Sequence, residues 1–255
     1  LKKDYKIGNE IRAWSVYLSD QAAIEVSKTL NSKWINTGEK EKEFRQKIAK
    51  KLGAPYVVAC NSGTSALKAS LATIGVEPGD EVISTPYTFI ATNTSILELG
   101  AKPVFADIKY DTLNIDPDSI KEKITKNTKA IICVHYAGNP CDMDEIWEIG
   151  KKYKLPIIED SAHALCSKYK DQYIGEQGDL ACFSFQAVKI ITSGDGGVIT
   201  TTKKEYYDIL RKKVWYGVDR DSKKFNILDP FPHDPDGLGY KMNMNDITAT
   251  LASVA

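Results

Sequence analysis

The chain has 255 residues, 42% of them hydrophobic and 27% charged, so it can bury one sizeable core and carry a small appendage. Lys plus Arg and Asp plus Glu both number 34, and no basic stripe alternates with aromatic residues, so nucleic acid is not expected as a partner. No apolar run approaches the roughly 20 residues that a membrane helix needs, and the first residues lack the apolar core of a signal peptide. We therefore expect a soluble, cytoplasmic globular protein without a membrane partner.

The first part of the chain is predicted to be helical. Two amphipathic stretches, Asp20–Leu30 and Lys40–Leu52, have the apolar spacing of helices, and a short connection that contains Gly38 joins them. We expect residues 1–55 to form an N-terminal helical segment packed on one large domain, residues 56–255.

From Tyr56 onward, apolar runs alternate with helical patterns in the βαβ rhythm of a parallel sheet. Strands are predicted at Tyr56–Cys60, Glu81–Ser84, Pro103–Ala106, Ala130–His135 and Pro156–Ile158, and helices at Ser65–Ile74, Thr88–Leu99, Pro117–Thr125 and Asp142–Tyr153. The strands are continuously apolar, which indicates burial on both faces. The sequence therefore predicts an α/β domain with a mostly parallel sheet covered by helices on both faces.

After Asp160 the pattern becomes irregular. Two short strands, Ala181–Phe185 and Gly197–Thr202, flank a loop that contains Lys189 and several glycines. The stretch 229–237 is rich in Pro, Asp and Gly and predicts a surface loop, whereas the residues before Ala255 have the pattern of a helix.

The cysteines and histidines do not form a metal-binding pattern. The five cysteines are odd in number and scattered, which is typical of reduced core residues; they stand at positions 60, 133, 141, 166 and 182. There is no CxxC pair or HExxH motif, and His135, His163 and His233 are far apart in sequence. We predict no metal site.

Asp160 and Lys189 together suggest pyridoxal phosphate. Taken singly, the first would be read as a strand cap and the second as a solvated lysine. As a pair they are more informative, because a carboxylate at the end of a buried strand can hold a pyridine nitrogen protonated. A lysine among apolar neighbours can stay neutral enough to condense with an aldehyde.

Residues 61–65 supply a candidate phosphate site. This Asn-Ser-Gly-Thr-Ser segment follows a strand and opens a helix, so its backbone N–H groups and hydroxyls can face the carboxyl edge of the sheet. Simple helix capping by Ser and Thr is the alternative interpretation. A nicotinamide enzyme and a serine hydrolase are disfavoured, because no GxGxxG after a strand, Walker lysine or GxSxG motif is present.

Several motifs in order make the chain resemble the DegT/DnrJ/EryC1/StrS family, pyridoxal-phosphate-dependent nucleotide-sugar aminotransferases with an aspartate-aminotransferase-like fold. The motifs occupy residues 61–67, 78–83, 88–92, 100–105, 134–138, 159–164 and 183–185. Members continue into a small C-terminal domain, so the resemblance implies that this domain is missing from the present chain.

The resemblance implies a role for each site residue. Lys189 would condense with the cofactor aldehyde and then shuttle the proton, while Asp160 would pair with the pyridinium nitrogen. Phe89 would stack on the ring, and His163, which stands where many relatives have Gln, would lie near the 3-hydroxyl. Gly63, Thr64 and Ser184 would hold the phosphate.

One further residue, Lys241, lies in a segment that resembles the family's contact with the neighbouring active site. Many members have Asn and Arg where this chain has Lys241 and Asn243. Lys241 of a neighbouring subunit could still neutralise a phosphate as a point charge. A solvated lysine before a helix is the alternative interpretation.

The leading functional hypothesis is amino transfer, with glutamate as the expected donor and a nucleotide-linked keto-deoxysugar as the acceptor, in a homodimer. Sugar dehydration with the same cofactor is a second hypothesis, although relatives that do this usually replace the lysine by His. A truncated, non-catalytic fragment that serves as a binding partner is a third.

Overall fold

The structure is a computed structural model that describes residues 16–219 and 235–255, together with two short paired strands, β1 (Lys6–Ile7) and β2 (Glu10–Ile11). The predicted surface loop at 229–237 lies outside the described residues except for its last three positions. In the described part, no helix is long and apolar enough to cross a membrane.

The remaining elements follow one another in the predicted alternation. The strands are β3 (Tyr56–Cys60), β4 (Glu81–Ser84), β5 (Lys102–Phe105), β6 (Thr128–Val134), β7 (Ile157–Asp160), β8 (Lys168–Tyr169), β9 (Gln172–Tyr173), β10 (Leu180–Ser184) and β11 (Gly197–Thr201). The helices are α1 (Gln21–Asn31), α2 (Glu39–Leu52), α3 (Gly63–Thr73), α4 (Ala91–Leu97), α5 (Pro117–Lys123), α6 (Met143–Tyr153), α7 (Lys204–Lys213) and α8 (Asp246–Val254).

Seven strands form one sheet in the order β3-β11-β10-β7-β6-β4-β5. Strand β11 is antiparallel to both of its neighbours, and the other pairings are parallel. The predicted α/β fold with a mostly parallel sheet is therefore confirmed. Strands β8 and β9 form a separate antiparallel hairpin that the sequence did not indicate.

Both faces of the sheet are buried, as the apolar strands predicted. Neighbouring residues on one strand point to opposite faces, and in β6 both Ile131 and Ile132 are fully buried. Ile132 belongs to a core beneath α3, α4 and α7, while Ile131 packs with Met143 and Ile146 of α6 on the other face. A third cluster, under α2 and α8, contains Phe44, Phe183 and Val198. Helices thus cover the sheet on both sides.

The N-terminal helices contact the last helix of the chain. In α1, Thr29 shares a 2.8 Å hydrogen bond with Thr250 of α8. The buried Asp246 carboxylate accepts hydrogen bonds from the backbone N–H groups of Gly38 (2.8 Å) and Glu41 (3.0 Å), which lie at the start of α2. Asp246 thereby satisfies N–H groups that no intrahelical carbonyl can reach. The division of the chain at residue 55 stays a prediction.

Three expectations differ from the structure. Helix α4 begins at Ala91 rather than Thr88, because residues 88–90 form a turn in which the Thr92 N–H bonds the Phe89 carbonyl at 3.1 Å. Helix α7 was not predicted. All five cysteines lie in the described part and are free, but only four are buried: Cys166 is exposed, in a loop with φ +64°.

Candidate active site

A cavity of about 480 Å³ opens at the carboxyl edge of the central strands. Parallel strands bring their carboxyl ends to one edge, and this is where ligands bind in open α/β sheets. The cavity is lined by all of the predicted site residues except Lys241, namely Gly63, Thr64, Phe89, Asp160, His163, Ser184 and Lys189. Its volume suits a small-molecule cofactor.

The first wall of the cavity is the N-terminus of α3. Ser62 is its N-cap residue, with extended backbone angles, and its hydroxyl accepts a hydrogen bond from the Ser65 N–H at 3.0 Å. The N–H groups of Gly63 and Thr64 have no intrahelical acceptor and lie at the positive end of the helix dipole. The capping interpretation is therefore correct for Ser62, and it is compatible with an anion-binding site at Gly63 and Thr64.

Two glycines allow this helix end to approach the sheet closely. A Cβ at Gly63 would lie 2.8 Å from the Ser184 Cβ, and one at Gly197, the first residue of β11, would lie 2.2 Å from the Ser62 carbonyl oxygen. Any side chain at either position would push α3 away from Ser184. The backbone N–H groups and the Ser184 hydroxyl can therefore face the same part of the cavity.

Asp160 is the last residue of the central strand β7 and is held from two sides. Its Oδ2 accepts a hydrogen bond from the Thr92 hydroxyl at 2.7 Å, and its Oδ1 accepts one from the Ala162 N–H at 3.2 Å. The residue is only 7% exposed, and it lines the cavity. An ionised carboxylate has about four acceptor positions, so this one retains capacity toward a protonated ring nitrogen.

Lys189 lies in the loop between β10 and β11, which is closed by backbone hydrogen bonds. The Phe185 N–H bonds the Gly196 carbonyl at 2.8 Å, and the Ser193 N–H bonds the Phe185 carbonyl at 2.9 Å. Within the loop, the Lys189 N–H bonds the Gln186 carbonyl at 2.9 Å. The loop thus presents the half-buried Lys189 side chain to the cavity.

The cavity favours the neutral forms of Lys189 and His163. Burial lowers the pKa of Lys189 below its usual 10.5, and the nearby Asp160 carboxylate opposes the shift without cancelling it. Burial also lowers the pKa of His163 below 6.5; the Lys189 ammonium adds to this shift and Asp160 opposes it. A neutral amine is the nucleophilic form of lysine, so this environment suits condensation with an aldehyde.

The remaining predicted residues occupy different positions. Phe89 lies at the rim of the cavity and is 77% exposed, so its ring face is accessible. Lys241 does not line this chain's own cavity. Its ammonium lies 4.0 Å from the centre of the Trp215 ring and donates a 2.5 Å hydrogen bond to the Asn243 side chain.

Sequence reasoning assigned no role to Thr88 and Thr92, although both stand in a motif that it singled out. Their hydroxyl oxygens are 2.8 Å apart, and Thr92 contacts Asp160 directly. The signal was the spacing: Thr88 and Thr92 stand four residues apart, which lets their side chains meet, and the buried Thr92 hydroxyl needs a partner.

A buried His135–Glu159 pair lies at the wall of the cavity, where His135 is a lining residue, and was also missed. His135 Nδ1 accepts a hydrogen bond from the Cys141 N–H at 3.1 Å, so Nε2 carries the proton and donates to Glu159 Oε2 at 3.0 Å. The backbone N–H of His135 bonds the Asp160 carbonyl at 3.1 Å. The pair thus lies next to the strand end that carries Asp160. In the described part, no group of three or more His, Cys, Asp and Glu side chains could hold a metal ion.

The chain is similar to a known protein family over most of its length. Residues 17–255 match the model of the DegT/DnrJ/EryC1/StrS aminotransferase family. The chain belongs to this family. The resemblance seen in the sequence is thereby confirmed, and with it membership of a family of sugar aminotransferases that use pyridoxal phosphate.

Several known proteins are similar over most of this chain. The spore coat polysaccharide biosynthesis protein SpsC of Bacillus subtilis is 41% identical over 89% of this chain and 59% of its own length. The structure of the sugar aminotransferase CalS13 from Micromonospora echinospora superposes with a TM-score of 0.89, at 29% identity, over 96% of this chain and 67% of that one. Spr1654 from Streptococcus pneumoniae, solved in a PLP form, gives 0.85 at 35% identity over 96% and 65%. The chain spans about three fifths of the length of the curated relatives it matches.

Proposed function

We propose that this protein binds pyridoxal 5′-phosphate and transfers an amino group from an amino acid, with glutamate as the expected donor, to a nucleotide-linked keto-deoxysugar. The observation that carries the proposal is the convergence of three groups on one cavity: the Asp160 carboxylate, the Lys189 amine and the N-terminus of α3. Each provides what one part of the cofactor needs, namely a counter-ion for the ring nitrogen, an amine for the aldehyde and N–H donors for the phosphate.

The residues present fit the cofactor. Gly63 leaves open the space in front of Ser184 that a side chain would fill, and Asp160 keeps free acceptor capacity in a nearly water-free position. We infer that Gly63, Thr64 and Ser184 hold the phosphate and that Phe89 covers one face of the ring. His163, neutral at pH 7, would face the ring's 3-hydroxyl.

Bound pyridoxal phosphate supplies an aldehyde that condenses with amines and a ring that accepts electrons from the substrate's Cα. Asp160 keeps the ring nitrogen protonated. The Lys189 amine would take the proton from the donor's Cα and would return it to the cofactor, so that the amino group stays with the cofactor. For the acceptor sugar the same residue moves the proton in the reverse direction. Burial lowers the pKa of Lys189 and so favours the neutral amine, which both the condensation and the proton transfer need.

The comparisons support only the general class of the acceptor, a sugar, and not its identity. CalS13 is described as a sugar aminotransferase and SpsC as a polysaccharide biosynthesis protein. The nucleotide, the sugar and the carbon that receives the amine belong to the proposal, as does the cytoplasmic location. Dehydration receives no support from the site, because the amine of Lys189 stands at the position where a dehydratase would be expected to have His.

The proposal is tested by visible absorption. We expect the purified protein to form a band near the visible region with added pyridoxal phosphate, and glutamate to bleach it. Lys189→Ala should retain the fold, as measured by circular dichroism, but form no such band. Lys42→Ala, which removes a surface ammonium ion-paired with Glu39, is the matched control and should behave as wild type. A band that persists in Lys189→Ala would exclude Lys189 as the condensing amine.

Lys241 gives a separate test of the proposed homodimer. Because it lies outside its own chain's cavity, we infer that it acts on the cofactor phosphate of a neighbouring subunit. A mixture of Lys189→Ala and Lys241→Ala subunits should then recover about a quarter of wild-type activity, because half of the random pairs are mixed and each mixed pair has one intact site. If Lys241 served its own chain's site, mixing would restore nothing.

A further inference from the structure

Two hydroxyl groups connect the wall of the cavity to Asp160. The Thr92 side chain, fully buried at the start of α4, donates a 2.7 Å hydrogen bond to Asp160 Oδ2. The Thr88 hydroxyl lies 2.8 Å from the Thr92 hydroxyl, one turn earlier. Thr88 itself lines the cavity and immediately precedes Phe89.

The direction of this chain of hydrogen bonds follows from counting protons. A threonine hydroxyl has one hydrogen, and Thr92 uses its hydrogen on the carboxylate. Thr92 can therefore only accept from Thr88, so Thr88 donates to Thr92 and Thr92 donates to Asp160. A hydroxyl that already accepts a hydrogen bond is a stronger donor, and a hydrogen bond to an ionised carboxylate in a buried position is among the strong ones.

We propose that Thr92 is a positioning residue for the cofactor ring, which it orients through Asp160; this inference rests on the proposed function. With Oδ2 held by Thr92 and Oδ1 held by the Ala162 N–H, the carboxylate cannot rotate about its Cβ–Cγ bond without breaking one of two hydrogen bonds. Its remaining lone pairs stay directed at one place in the cavity. The ring nitrogen thus meets an acceptor that is already oriented, and no orientational freedom is lost on binding.

The same hydrogen bonds tie the two predicted ring contacts together. Thr88 precedes Phe89, which covers the ring face, and Thr92 holds Asp160, which meets the ring edge. Side-chain hydrogen bonds therefore connect the residue next to the stacking side chain with the acceptor for the ring nitrogen.

The test compares two ligands that differ at the ring nitrogen: pyridoxal phosphate and its carbocyclic analogue with C–H in place of that nitrogen. We expect Thr92→Val, which keeps the shape but removes the donor, to weaken binding of pyridoxal phosphate by about tenfold, the effect of losing one hydrogen bond to a charged group. Binding of the analogue should change by less than about twofold, because it offers no protonated nitrogen to an oriented carboxylate. Thr92→Ser keeps the hydroxyl and should restore selective binding.

Thr200→Val is the matched control for the substitution itself. Thr200 is 1% exposed, lies away from the cavity lining, and its hydroxyl has no hydrogen-bond partner, so its replacement should leave the affinity for both ligands unchanged. If Thr92→Val lowers the affinity for both ligands equally, the substitution acts through general packing, and the proposal is overturned. Unchanged affinity for pyridoxal phosphate would overturn it as well.

Binding without turnover keeps this inference separate from the proposed function. If glutamate fails to bleach the band while Thr92→Val still discriminates between the two ligands, amino transfer is wrong and the role of Thr92 stands. If bleaching occurs but the two ligands respond alike to Thr92→Val, amino transfer stands and the role of Thr92 is wrong.

Discussion

The buried His135–Glu159 pair offers a quantitative test of how the strand ends at the wall of the cavity are held. The side chains of His135 and Glu159 are 0% and 1% exposed. Glu159 Oε2 accepts a 3.0 Å hydrogen bond from His135 Nε2, whereas Glu159 Oε1 has no hydrogen-bond partner. Replacing His135 by Phe leaves a buried carboxylate with no partner on either oxygen. Because His135 carries one ring proton, the loss is that of a buried hydrogen bond to a charged group, about 1.5–3 kcal/mol.

A second loss accompanies the first. His135 Nδ1 also accepts the Cys141 N–H, and an unsatisfied buried donor costs about 1–3 kcal/mol more. The double variant His135→Phe, Glu159→Leu removes the carboxylate but still leaves the Cys141 N–H unpaired. It should therefore regain about 1.5–3 kcal/mol relative to the single variant and remain about 1–3 kcal/mol below wild type.

Equilibrium unfolding in urea, followed by circular dichroism and by fluorescence, measures these differences. Glu25→Gln, which removes an exposed ion pair with Lys28 on α1, is the control and should leave the free energy of unfolding unchanged. The reasoning fails if His135→Phe lies within about 1 kcal/mol of wild type, or if the second substitution recovers nothing.

Three other substitutions have defined outcomes. Thr200→Val should raise the free energy of unfolding by about 1 kcal/mol, because it removes a buried hydroxyl with no partner; a loss in urea unfolding would contradict this. Gly63→Ala should weaken phosphate-dependent cofactor binding, because its Cβ would lie 2.8 Å from the Ser184 Cβ, and wild-type affinity in a dialysis assay would show that the helix end can shift freely. Burial lowers the pKa of His163 below 6.5, so the folded state resists its protonation and loses stability as pH falls below 6.5. His163→Gln should flatten that loss between about pH 7 and 5, measured by urea unfolding, whereas an unchanged pH profile would mean that His163 titrates as it does in the unfolded chain.

The fold could be predicted because the apolar runs and helical patterns of the sequence agree with it. The apolar run that became β6 is buried on both faces, and its neighbours alternate with helices as a parallel sheet requires. Helix α7 was missed although Tyr206, Leu210 and Val214 recur at helical spacing and pack on the core, because the many charged residues between them concealed this pattern. The antiparallel direction of β11 was also not predicted, since a short apolar strand does not show which neighbours it pairs with.

Several residues of the site could be predicted from the sequence, but the contacts between them could not. Asp160, Lys189 and the segment at Gly63 were recognised from their positions at strand and helix ends, where chemistry is expected in such sheets. The contacts that orient them join residues far apart in the chain: a hydrogen bond joins Thr92 to Asp160, and Gly197 lies in close backbone contact with Ser62. A single sequence shows residue types and local spacing, whereas these contacts depend on strand order and register. Lys241 remains a prediction for the same reason, because its proposed partner is on another chain.

The direction of β11 explains why Lys189 can face Asp160 at all. Because β11 runs antiparallel to β10, the chain returns by a direct loop, and Gly197 pairs with Ser184 at the same edge of the sheet. A parallel β11 would require a crossover of a dozen or more residues, which would carry the chain to the opposite edge before the next strand begins. The loop that carries Lys189 would then leave the cavity. One reversed strand in an otherwise parallel sheet therefore keeps the amine beside the carboxylate, and the glycine that begins it makes room for the helix end that completes the site.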